Sequence, residues 1–426
     1  MNKTKENNGF LFNLLLITIF FNIWFPKAGI KISGIPLTAG TLFFLILLMF
    51  WILKKCKSKT LSVPKPANLL LLGIGYFVLK YIIIGLKSGE ILSYVTYIIP
   101  LIVYPLMFFI SFDLVDSDIK RNIIIKIIVH GFYFICLYAL LQFFVGVGNC
   151  DIPGLTVNYN DYKEMGPTWY MQKANGMSED NSKVVSTYQN GNLFGINLLL
   201  IYPLVFMLFK EKGKNRQLYI SLILFIACAF LTLSRTCWLG IILFIFFAIV
   251  LENEKTKSSI IRKMVIIMLC LLSICFVFTY MPSVVNRFTN TNKEDWIGMS
   301  GRSEGIQTLA KSISSNNNIF TWILAWFIGP NGIVQYSGLA FEMLPAALLA
   351  QTGIIGIILL YSFYINIRRY LGKEKWFEKA VSLSILIWLI VGCIECGYWL
   401  PPTALNIFAI IGIATSLKCR EEIKND

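Results

Sequence analysis

The stretch Leu231-Thr232-Leu233-Ser234-Arg235-Thr236-Cys237-Trp238-Leu239-Gly240 interrupts a run of 34 apolar-rich residues, 218–251. As one helix that run would be ~51 Å long, against a hydrocarbon core of roughly 30 Å. The flanking segments, Lys210 to Arg216 and Lys255 to Lys263, are both basic. Basic segments stay on the cytoplasmic side of a bacterial membrane, so both flanks belong there. The chain must therefore turn back at Ser234-Arg235-Thr236, as a tight helical hairpin with Arg235 at its outer mouth. Two readings fit Arg235. Its permanently charged, bidentate guanidinium is a ready phosphate ligand. It is equally suited to snorkelling to lipid headgroups.

The rest of the chain is read outward from this hairpin. The 426 residues are 56% hydrophobic and 14% charged, with 33 Phe, 19 Tyr and 10 Trp, too little polar material to cover soluble cores. The apolar blocks are of spanning length, and none shows the two-residue alternation of a membrane barrel. Spans are expected near 9–25, 36–53, 68–86, 91–112, 122–146, 188–209, 218–233, 237–251, 264–281, 341–367, 379–394 and 402–417. With the N-terminus inside, 26 of the 38 Lys and Arg residues fall in inner segments. Twelve spans with both termini cytoplasmic accommodate every loop. The net charge of +15 is then an orientation signal and an attraction to anionic lipid, with no nucleic-acid partner implied.

The first span has no small-residue cleavage site after it, and Asn22-Ile23-Trp24-Phe25-Pro26 resembles an interface anchor, so it is read as retained. The ten cysteines show no paired or metal-ligand spacing and are read as small apolar residues. No inner segment is longer than 54–67, and there is no Walker loop or dinucleotide glycine fingerprint, so a nucleotide-binding domain has no place to fold. The polar mass lies outside, in a single membrane domain (1–426) with two large outer loops, 147–187 and 282–340. An enzyme built this way works on the outer face, with a donor already carried across. A lipid-linked donor meets that condition.

Beyond Arg235, chemistry-bearing residues gather in the second outer loop and the helix after it. Val285-Asn286-Arg287-Phe288 and Gly301-Arg302-Ser303-Glu304 bring two arginines and a carboxylate. The ten apolar residues 319–328, with Trp322 and Trp326, are too few to cross and would lie at the interface as a lid. Phe341-Glu342-Met343-Leu344-Pro345 places a carboxylate at the outer start of a helix, either as a functional group or as a charge stabilising the helix N-terminus. Lys80, in the outer half of the third span, either snorkels or contacts phosphate. The first outer loop offers Tyr159, Tyr162, Trp169 and Tyr170 to stack on sugar rings. The single histidine, His130, is read as a packed polar residue.

The order of Asn190-Gly191-Asn192-Leu193-Phe194-Gly195, Ser234-Arg235, Gly301-Arg302 and Gly353-Ile354-Ile355-Gly356 resembles the O-antigen polymerase and ligase superfamily of bacterial envelope glycosyltransferases. The likeness covers roughly residues 188–365 and the span count. It implies an all-helical, GT-C-like membrane bundle acting on glycans carried by undecaprenyl diphosphate. It also implies no metal, in keeping with a first outer loop, Pro26 to Pro36, that lacks acidic residues. Ligases carry a histidine before the closing Gly-x-x-Gly helix. Here Glu342 stands at that place, which favours polymerase of O-antigen or capsule units over ligase.

On that resemblance, Arg235 and Arg302, with Arg287 as a weaker candidate, would stabilise the departing diphosphate. Glu342 would be the general base, with Glu304 as the fallback, and direct displacement would invert the anomeric centre. Lys80 and Trp169 would contribute to substrate binding. The flippase and chain-length regulator of the same pathway are the protein partners implied. The rival from another class is a lipid-linked oligosaccharide flippase, but such carriers are built from repeated halves, and none is visible here.

Overall fold

The computed structural model describes residues 2–32, 35–59, 63–88, 99–160, 183–250, 343–372, 375–395 and 401–425, with a few isolated positions besides. The fold is mostly helical. Six helices among the described residues are long and apolar enough to cross a membrane, and four further stretches are shorter apolar helices. The chain is thus a membrane-embedded helical protein. The expected span at 264–281 and the interfacial segment 319–328 lie outside the described residues, as do most of both large outer loops.

In chain order the helices are α1 (Asn2–Trp24), α2 (Ala39–Ser58), α3 (Asn68–Ser88), α4 (Leu106–Leu114), α5 (Asp118–Val145), α6 (Gly191–Glu211), α7 (Asn215–Leu231), α8 (Arg235–Val250), α9 (Leu344–Leu371), α10 (Trp376–Gly392) and α11 (Pro401–Asn425). The all-helical expectation needs one amendment. The segment between α1 and α2 holds an antiparallel hairpin, β1 (Gly29–Ile32) and β2 (Ile35–Thr38), with Ile30 opposite Leu37 and Ile32 opposite Ile35. The fourth span also departs from a plain helix. A π-helical stretch, Ile99–Val103, gives way at Tyr104-Pro105 to α4, because Pro105 lacks the N–H that would continue the ladder.

The chain divides into two compact units. The first comprises residues 1–49, 118–290 and 373–388, and the second 50–117, 291–372 and 389–426. In the first unit α6 is the central helix, with 193–209 buried on every side, as its uniformly apolar sequence requires. Around it lie α5, α7 and α8, and α1 packs on α5. An aromatic cluster locks this core: Tyr202 stacks on Phe225 at 4.0 Å, and Phe244 meets Tyr202 edge-on at 5.1 Å.

In the second unit α11 packs on α4, and α9 packs on α3. Ser416 donates to the Val115 carbonyl at 2.9 Å. Trp51 and Lys55 both hold the Asp113 carboxylate, Lys55 at 2.7 Å. One expectation fails within the first unit. His130 does not pack inward but is exposed on α5, one turn beyond the likewise exposed Lys126. Both polar residues share the exposed face of the helix with Ile119, Ile123, Leu137 and Leu141.

Candidate functional site

The Ser234-Arg235-Thr236 patch forms the hairpin that its apolar flanks demand. Helix α7 ends at Leu231, and α8 starts at Arg235. Leu233, with a φ of 49°, takes the left-handed conformation that reverses the chain. Polar side chains satisfy the ends of both helices. Thr232 Oγ1 donates to the Ala229 carbonyl at 2.7 Å, and Trp238 Nε1 donates to the same carbonyl at 3.2 Å. Ser234 Oγ accepts from the Cys237 amide at 3.3 Å, acting as the N-cap of α8. Arg235 is half-buried at the first position of that helix.

The second sequence patch lies against the first. Asn190 caps α6, its Oδ1 accepting from the Leu193 amide at 2.9 Å. A Cβ on Gly191 would meet the Thr232 carbonyl oxygen at 2.6 Å, and one on Gly195 would meet Cys237 Cβ at 2.7 Å. Gly240 in turn faces Leu199. Contacts that advance together along both helices mean that α6 and α8 run parallel, with their N-termini side by side. The glycines are what allow this close approach.

The approach to α6 is also pinned. The Val184 amide donates to the Leu231 carbonyl at 3.1 Å. Gln142 and Ser186 exchange two hydrogen bonds, of 3.0 and 2.7 Å, and Tyr188 donates to the Ile23 carbonyl at 3.0 Å. Two helix N-termini, each the positive end of a dipole, thus meet, with Arg235 as the first residue of one of them. Residues 183–195 and 229–240 contain no Asp or Glu. That arrangement suits an anion of phosphate type.

Lys80 lies in the second unit and does not reach out to headgroups. It is buried, and its ammonium donates to the carbonyl of Gln351. One turn earlier, Tyr76 donates to the Thr352 carbonyl at 2.7 Å. Both carbonyls stand at a break in α9, where Gly353 adopts φ 70° and ψ −172°. The expected small-residue helix around Gly353-x-x-Gly356 is therefore two half-helices, and only glycine takes that φ without strain. The first half starts at Leu344, after the extended Met343 and with Pro345 in its opening turn. Glu342, Arg302, Arg287, Glu304 and Trp169 lie outside the described residues.

Sequence reasoning passed over Asp151, shortly after the end of α5. Its carboxyl is half-buried, and one oxygen, Oδ2, has no hydrogen-bond partner. Burial raises its pKa and the nearby Lys27 ammonium opposes the shift; burial wins, leaving the carboxyl at about 6. The signal that was available is the lone acid before the Pro153-Gly154 turn. Among the described residues, no group of three His, Cys, Asp or Glu side chains gathers as a metal site would need. Cys136 and Cys228 do meet, with Cys228 Sγ donating to the Cys136 carbonyl at 3.5 Å as part of helix packing. The sequence matches no protein-family model and no curated protein, so the reading of its function rests on this geometry and on the sequence patterns above.

Proposed function

We propose that the protein joins polysaccharide repeat units, moving a glycan from an undecaprenyl-diphosphate carrier to a hydroxyl of another lipid-linked unit at the outer face of a bacterial cytoplasmic membrane. The observation that carries this is the convergence of the α6 and α8 N-termini beside Arg235. Negative charge grows on the diphosphate as the glycosidic bond breaks, and preformed donors aimed at that charge lower the barrier. Arg302 and Arg287 supply further positive charge from the second outer loop, and Glu342 accepts the proton of the attacking hydroxyl. Transfer to a different acceptor, as in a ligase, would use the same donor chemistry.

The orientation proposed is both termini inside. It predicts that cysteines placed at 160–180 are labelled from outside and those at 54–67 are not; the reverse pattern would move the site to the cytoplasm. A flippase is the second reading, and the break in α9 favours it, since discontinuous helices are common in carriers. The lipid pool of a deletion strain separates the two. Loss of the polymerase leaves single repeat units on the outer leaflet, whereas loss of a flippase traps them on the inner one.

A further inference from the structure

The break in α9 holds more than a turn requires. Lys80 is 2% exposed within a membrane helix, and among the described residues no carboxylate pairs with it. A buried ammonium without a counter-ion is costly in a span, and such groups mark binding or transport sites. Its partner, the Gln351 carbonyl, uses one of three ammonium protons. Gln351 itself is buried, and its Oε1 has no partner. An amide flip exchanges that oxygen for the Nε2 donor. From Ile354 onward the helix restarts, and its first-turn N–H groups add the positive end of a dipole.

The neighbouring residues turn the other way. Leu79 and Ile83 on α3, and Ile354 and Ile358 on α9, are exposed apolar side chains close in sequence to these buried polar groups. A buried cation with spare donors beside an outward apolar surface matches a molecule with an anionic head and a long hydrocarbon chain.

We propose that the break in α9 is a binding site for the phosphate head of a polyisoprenoid lipid, with the Lys80 ammonium as its counter-charge, and that this lipid carries the acceptor unit. The second half of the statement rests on the function proposed above. Polymerisation engages two lipid-linked units per turnover, and Arg235 belongs to the first compact unit while Lys80 belongs to the second. Tyr76 is a positioning residue, holding the Thr352 carbonyl so that the two half-helices keep their offset.

The test uses the full chain in nanodiscs of phosphatidylcholine, with undecaprenyl phosphate as the probe and native mass spectrometry to count bound lipid. Wild type should bind two per chain, and Lys80→Met one, with at least tenfold weaker binding at the lost site. Arg235→Ala should lose the other. Two lipids on Lys80→Met would overturn the site. One lipid on wild type that vanishes with Arg235→Ala would also overturn it, while sparing the function proposed above. Loss with Lys80→Met but not with Arg235→Ala would support the break and count against the Arg235 reading. Equal occupancy by phosphatidylglycerol, or by inorganic phosphate alone, would overturn the assignment to a polyisoprenoid lipid. A photoactivatable undecaprenyl phosphate on wild type covers the case in which Lys80→Met fails to fold. It should label peptides containing 76–83 or 351–358, and labelling only elsewhere would overturn the proposal.

Discussion

Replacing Gly195 by alanine tests whether α6 and α8 meet as closely as the anion site requires. In open helix, Gly→Ala stabilises by roughly 1 kcal/mol through backbone entropy. Here the new Cβ would lie 2.7 Å from both Cβ and Sγ of Cys237. Overpacking of this kind costs about 1–3 kcal/mol, so the net change should be a loss of about 0–2 kcal/mol. The functional loss should be larger. Spreading the helices by ~1 Å moves the first-turn amides off the diphosphate, a displacement worth roughly 10²-fold in rate.

The clash has a side-chain remedy, because Cys237→Gly removes both opposing atoms. The Gly195→Ala/Cys237→Gly pair should therefore recover most of the lost activity. Gly191→Ala has no such remedy, because the atom it meets at 2.6 Å is the backbone oxygen of Thr232. Thermal unfolding in detergent and polymer formation in proteoliposomes, at equal protein amount, measure the two effects. A Gly195→Ala protein that is more stable and fully active would refute the close approach, and with it the paired N-termini.

Arg235→Lys keeps the charge but loses the two-pronged guanidinium, and should lose most polymer formation; free substitution would make Arg235 a membrane anchor only. Glu342→Gln should insert normally and bind lipid, yet turn over ~10²–10⁴-fold more slowly, and near-normal polymer would move the base to Glu304. Asp151 predicts a pH dependence of stability. Its folded pKa, about 6, lies above the ordinary aspartate value of 3.8, so the folded state holds the proton more tightly. Stability from this group is complete below pH ~4 and is lost as pH rises through 6. After discounting for partial exposure, Asp151→Asn should gain about 1–2 kcal/mol at pH 7.5 and nothing at pH 4 in chemical denaturation. An equal gain at both pH values would show that the carboxyl does not titrate as described.

The hairpin at Ser234-Arg235-Thr236 was legible because length alone forbids a single helix over 218–251. Legible too were the spans that α5, α6 and α11 provide, since their apolar runs are long and their ends basic or polar. The β-hairpin at 29–38 was not, because four-residue strands between two spans leave too short an alternation to stand out. The Ser33-Gly34 pair was its one local sign. Gly353 was read as part of one continuous small-residue helix. Whether a helix glycine packs or breaks depends on partners for the freed carbonyls, and those are Tyr76 and Lys80, more than 270 residues away in sequence. For the same reason, the burial of Lys80 was hidden from any local pattern. His130 was misread because periodicity along α5 is weak, with apolar residues on every face.

The central claim is chemical, that this chain alone forms glycosidic bonds between lipid-linked units. Purified protein in proteoliposomes, supplied with single undecaprenyl-diphosphate-linked repeat units, should convert them into a ladder of longer glycans. One undecaprenyl diphosphate should be released for each bond formed. Repeat units that cross the bilayer with no ladder and no released carrier would contradict the account and identify a transporter.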